Sequence, residues 1–163
     1  MNHLFAEDTV YVSNKQTQAD VFKEVYTDLL KKNLVTEAFL EHLLEREQNY
    51  PTGLDLSPVS DRLPNIAIPH TETSFVKTSR IIPIKLQQPI TFHNMIKPDT
   101  TISVSFLFMI LNENSESQAG LLAQIMDFIN ATDKEALRTF FDLEDTTAIY
   151  QFLKQHYHIE TSA

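Results

Sequence analysis

The sequence predicts an α/β fold, a central sheet with helical cover. Two helix-periodic segments fill the first fifty residues, β-prone runs occupy 65–111, and three helical segments close the chain. Val10-Tyr11-Val12, within Thr9 to Ser13, is a short β-prone run followed by polar residues that suit a turn. Val21, Phe22, Val25, Leu29 and Leu30 then recur at helical spacing, and Lys31 and Lys32 suit the negative end of that helix's dipole. Thr36 is placed to cap a second helix with Phe39, Leu40, Leu43 and Leu44 on one face; it runs out near Pro51 and leaves Arg46 in its last turns. Asn65 to Ile68 reads as a short buried strand, stopped by Pro69, which has no N–H to offer a ladder. Arg80 to Leu86 is a strand interrupted by Pro83, expected therefore at a sheet edge or a bulge. Thr101 to Leu111 is almost continuously apolar, the pattern of a strand buried on both faces. Ser115 to Asn130, Asp133 to Phe141 and Asp145 to His156 read as helices, the last two capped by Asp133 and Asp145.

Composition narrows the function. A chain of 163 residues buries one good core and is too short for two ordinary domains, so residues 1–163 read as a single domain. No apolar stretch approaches the ~18 to 20 residues of a membrane span, and no secretory signal opens the chain, which makes the cytoplasm the expected location. Zero cysteines exclude disulfides, thiolate zinc sites and iron–sulfur clusters. A net charge of −9 argues against nucleic acid as a partner. Only two glycines occur, Gly53 and Gly120, so no glycine-rich nucleotide cradle exists and any phosphoryl donor is expected to be protein-bound.

Chemistry concentrates in Asn65-Ile66-Ala67-Ile68-Pro69-His70-Thr71-Glu72. Strand pairing ends at Pro69, so His70 stands at a strand's carboxyl end, where ligand sites of α/β sheets collect. A neutral imidazole there serves as nucleophile, base or ligand, and equally as a hydrogen-bonded structural residue. Thr71 and Glu72 either tune it or form an ordinary turn. The remaining histidines, His3, His42, His93, His156 and His158, show no metal-chelating spacing, and neither metal nor cofactor is expected.

Upstream lies a second motif, Leu44-Glu45-Arg46-Glu47-Gln48-Asn49-Tyr50-Pro51-Thr52-Gly53. In this order the two motifs resemble the enzyme IIA proteins of the bacterial sugar phosphotransferase system, in the fructose–mannitol superfamily and its galactitol type, over most of the chain. The resemblance implies a three-layer α/β/α sandwich with a central mixed sheet. It also implies that His70 receives a phosphoryl group from the phosphocarrier protein HPr and passes it to a cysteine of a separate enzyme IIB, which works with membrane enzyme IIC. Arg46 is the matching arginine that would stabilise the phosphate; its planar, permanently charged fork suits that task. Mannitol- and fructose-type relatives place a second histidine where Gln118 falls here, or Ser117 if the alignment shifts by one. Gln118 is then a candidate hydrogen-bond donor to phosphate or imidazole, while Ser115 and Gln118 also have capping-box spacing. The 54–64 loop, with two prolines, is longer than that of the family. Related modules act as regulators through their phosphorylation state, and a non-catalytic binding domain is a third reading.

Overall fold

The computed structural model describes residues 4–114 and 118–157. Five strands form one mixed sheet: β1 (Tyr11–Ser13), β2 (Gly53–Leu54), β3 (Asn65–Ala67), β4 (Arg80–His93) and β5 (Thr101–Leu111), in the spatial order β1-β4-β5-β3-β2. Its spine is the antiparallel β4–β5 pair, with β1 parallel to β4 on one side and β3 parallel to β5 on the other; β2 runs antiparallel beyond β3. Helices α1 (Gln18–Lys31) and α2 (Phe39–Asn49) cover one face, and α3 (Gln118–Ala131), α4 (Lys134–Phe141) and α5 (Thr146–His156) cover the other. This is the expected three-layer α/β/α sandwich.

Period-two alternation along β5 divides the interior in two. Phe106, Phe108 and Ile110 join a phenylalanine-rich cluster with Phe128, Phe140 and Phe141, whereas Leu107, Met109 and Leu111 pack with Val21, Phe22, Val25, Leu29, Phe39 and Leu43 of the first two helices. Local chemistry sets most helix starts: the Asp133 and Asp145 carboxylates accept from the N–H groups of Ala136 and Ala148, each at 3.0 Å, as expected. The Thr17 hydroxyl does the same for α1, accepting from Asp20 N–H at 3.1 Å.

Two local expectations are corrected. Thr36 does not cap α2 with its side chain: Phe39 N–H bonds its carbonyl, Ala38 already has helical backbone angles, and the Thr36 hydroxyl has no partner. Pro83 lies neither on an edge strand nor at a bulge, because β4 sits between β1 and β5 and runs on to His93. Ile81 N–H bonds the Leu4 carbonyl, so the Pro83 nitrogen two residues on faces that same side, away from β5, one residue before the β1 register begins at Ile84. The register shift falls instead between Lys85 and Ile90, around the exposed residues Gln87, Gln88 and Pro89.

The 54–64 connection starts inside β2, and its Leu56 and Leu63 are buried in the phenylalanine-rich core, so part of it is core rather than free loop. Gly53 pairs with Ala67 and also bridges Asn94 at the end of the β4–β5 hairpin, with Met95 N–H donating to its carbonyl at 2.7 Å. A Cβ there would stand 2.6 Å from the His93 carbonyl oxygen, a backbone atom that cannot step aside cheaply.

Candidate functional site

The site is assembled where β3 and β5 end. Ladder pairing of β3 stops at Ala67, and the chain rejoins β5 through a parallel bridge between His70 and Ile110, with Ile110 N–H donating to the Pro69 carbonyl at 3.0 Å. His70 therefore sits at the carboxyl rim of two neighbouring parallel strands, as its motif predicts. Its Nδ1 lies 2.8 Å from the Ile68 carbonyl oxygen. A carbonyl only accepts, so Nδ1 carries the proton and Nε2 holds the lone pair of the neutral ring. Burial pushes the His70 pKa below its ordinary 6.5; the Ile68 hydrogen bond pulls it up, Arg46 pushes it further down and Glu72 draws it up. Near pH 7 the imidazole is uncharged and nucleophilic.

Arg46 comes from the last turn of α2, where the sequence places it. Its Nη1 donates to Glu72 Oε1 at 3.0 Å, and its Cζ stands 5.3 Å from the centre of the Tyr50 ring. The Arg46 Nε is buried and has no hydrogen-bond partner. A guanidinium with one arm on a carboxylate and another donor idle, close enough to depress the His70 pKa, is suited to take an anion at the rim.

Behind the rim lies a second layer of polar contacts. Glu47 is 5% exposed and Thr52 is 3% exposed. Thr52 N–H donates to Glu47 Oε2 at 2.8 Å and the Thr52 hydroxyl to Oε1 at 2.7 Å. Ile68 N–H in turn reaches both the Thr52 hydroxyl oxygen at 3.2 Å and the Thr52 carbonyl at 3.3 Å. Glu47 thus anchors the Pro51-Thr52-Gly53 turn, and the turn anchors the residue whose carbonyl holds His70. Burial pushes the Glu47 carboxyl up to about 7, against the pull of its two Thr52 bonds. Glu47 is a part of the site that the two motifs do not announce. The signal was present: Phe39, Leu43 and Glu47 form one stripe at four-residue spacing, so an acid occupies a core-facing position.

The backbone of Gln118 begins α3, but its side chain, like Ser115 and Ser117, lies outside the described residues. Residues 112–114 follow the end of β5 at Leu111, next to the bridge between His70 and Ile110. Asn112 is already engaged there, accepting from the Ser79 hydroxyl at 3.2 Å and donating to the Asn114 carbonyl at 2.6 Å. Other described histidines serve packing or turns: His42 stacks on Phe75, His156 on Phe152, and His93 Nδ1 bonds the Pro98 carbonyl. Among the described residues no helix is long and apolar enough to cross a membrane.

A histidine poised at a sheet rim beside an arginine, in a three-layer sandwich, defines a class that comparison establishes. Residues 3–156 match the family model for the phosphoenolpyruvate-dependent sugar phosphotransferase system, EIIA 2, and the chain belongs to that family of phosphoryl carriers. More particularly, it is 25% identical to the galactitol-specific EIIA component of Escherichia coli K12 over 154 residues, 94% of this chain and 95% of that protein. Its fold is similar to the crystal structure of the mannitol IIA of E. coli, with a TM-score of 0.70 at 14% identity over 91% of this chain and 98% of that one. It is also similar to a solved complex of the E. coli mannitol IIA with phosphorylated enzyme IIB, with a TM-score of 0.65 at 15% identity, covering 92% and 94% of the two chains.

Proposed function

We propose that this EIIA works in the cytoplasm as the middle carrier of a relay, taking a phosphoryl group from a histidine of HPr onto His70 Nε2 and passing it to a cysteine of a separate enzyme IIB. Enzyme IIC would then move the sugar. The carrying observation is the Nδ1 bond to Ile68, which leaves Nε2 as the free lone pair beside Arg46. In the first step the Nε2–P bond forms in line as the P–N bond to the HPr imidazole breaks, and that imidazole keeps the electron pair. In the second, a thiolate forms an S–P bond as Nε2–P breaks and the electron pair returns to Nε2. Arg46 stabilises the spreading charge on the equatorial oxygens in both directions, and Gln118 is the candidate for a further donor. Residues 1–163 contain no thiol, so the acceptor cysteine lies outside them.

The test is phosphoryl flow from labelled HPr, through this protein, to IIB proteins encoded nearby. Label reaching IIB, with sugar phosphorylated when IIC is present, supports the relay. Label that stays on His70, while the same IIB accepts from another IIA, overturns it in favour of a regulatory module. Within the relay, Arg46→Ala is expected to slow transfer roughly ten- to a hundredfold, the worth of one charge-assisted contact of about 1.5 to 3 kcal/mol, with the fold intact. Rapid-quench kinetics measures this, and an unchanged rate makes Arg46 a surface residue.

A further inference from the structure

We propose that Glu72 is a resident competitor for Arg46, and that it keeps the phosphoryl group on His70 transferable rather than tightly held; this rests on the relay reading. Glu72 Oε1 occupies Arg46 Nη1 at 3.0 Å in the unphosphorylated protein, two residues along the chain from the nucleophile. The Glu72 side chain is 55% exposed, free to swing into solvent, whereas Arg46 is held at 31% with its Nε enclosed. The backbone beneath Glu72 is fixed, for the buried Thr71 hydroxyl donates to the Glu72 carbonyl at 2.8 Å.

A phosphoryl group arriving on Nε2 brings close to two negative charges. It must either draw Arg46 away from Glu72, breaking the ion pair, or share the guanidinium with the carboxylate so that each anion holds it less tightly. Both outcomes raise the free energy of the phosphorylated form relative to a site without Glu72. When the phosphoryl group leaves, the ion pair re-forms. The carboxylate therefore lowers the affinity of His70 for phosphate and favours onward donation, a poise that a carrier between two partners requires. Glu72 touches neither nucleophile nor phosphate in this scheme; it acts through Arg46.

The experiment is the equilibrium of phosphoryl exchange between phosphorylated HPr and this protein, read by intact mass under alkaline conditions. Glu72→Gln is expected to shift the equilibrium three- to tenfold toward the phosphorylated chain, with an unchanged thermal midpoint. In an Arg46→Ala background the same Glu72→Gln change is expected to shift it little, because the competition has lost its object. No shift in Glu72→Gln, a shift the other way, or a shift of equal size without Arg46 overturns the proposal while leaving the relay intact. A wild-type chain that takes no label from HPr overturns both.

Discussion

His70→Ala is expected to abolish acid-labile phosphorylation of this protein by phosphorylated HPr. The loss should be complete because no other described histidine combines a free ring nitrogen with a neighbouring guanidinium at a strand end. His42 and His156 lie face to face with aromatic rings, and His93 is tied to the 93–98 turn. The fold should survive, since the ring's one described hydrogen bond is local, to the carbonyl two residues back. Mass spectrometry at alkaline pH, with phosphorus–nitrogen couplings in labelled wild-type protein, should place the phosphoryl group on Nε2. Strong labelling of the His70→Ala variant, or a phosphoryl group on Nδ1, would contradict the site as drawn.

Glu47→Ala should be strongly destabilising, costing about 2 to 5 kcal/mol by urea unfolding. It strands the Thr52 N–H and hydroxyl donors in a buried position, at roughly 1 to 3 kcal/mol each, and leaves a gap under the turn. A subtler signature is pH dependence. With its carboxyl raised from 4.5 to about 7, folded Glu47 holds a proton that the unfolded chain has released. Stability from this group is therefore full below pH 4.5, falls as pH rises toward 7, and is flat beyond, a total of about 3 kcal/mol at roughly 1.4 kcal/mol per unit. His70 works in the opposite sense: with its pKa lowered, the unfolded chain binds more protons below 6.5, so that contribution is lost as pH falls. Because His70 is common to both proteins, the wild-type curve minus that of Glu47→Gln isolates the carboxyl. Parallel curves for the two proteins would rule out a buried, proton-holding Glu47.

What the sequence made legible was mostly local. Asp133 and Asp145 cap their helices through side-chain bonds that reach only three residues, and β5 runs from Thr101 to Leu111 as its apolar run indicates. Arg46 and His70 were readable as partners from two motifs in a fixed order, and the sheet brings both to one rim. Features that depended on distant neighbours were hidden. Gln87-Gln88-Pro89 reads as a strand's end, yet β4 continues past it because Ile90 and Phe92 still have a core to enter. Pro83 reads as an edge or bulge residue, but only the one side its nitrogen faces is unpaired there, a fact set by where β1 begins. Thr36 has a cap's chemistry two residues ahead of the cap position, which Ala38 occupies. Glu47 escaped notice because its partner, Thr52, lies beyond the helix end and its importance passes through Ile68.

The sheet's two faces lead to a consequence for how this protein tolerates change. Side chains of β5 that enter the phenylalanine-rich core do not share a cluster with those that meet α1 and α2, the helix that carries Arg46. Substitutions on opposite faces that lie more than about 7 to 10 Å apart and share no partner should have free-energy effects that sum to within about 0.3 to 0.5 kcal/mol. Pairs within one face should depart from additivity. The layer formed by α3, α4 and α5 is thus a place where robustness can be gained or lost with little echo at Arg46, whereas the layer beneath α2 has no such freedom.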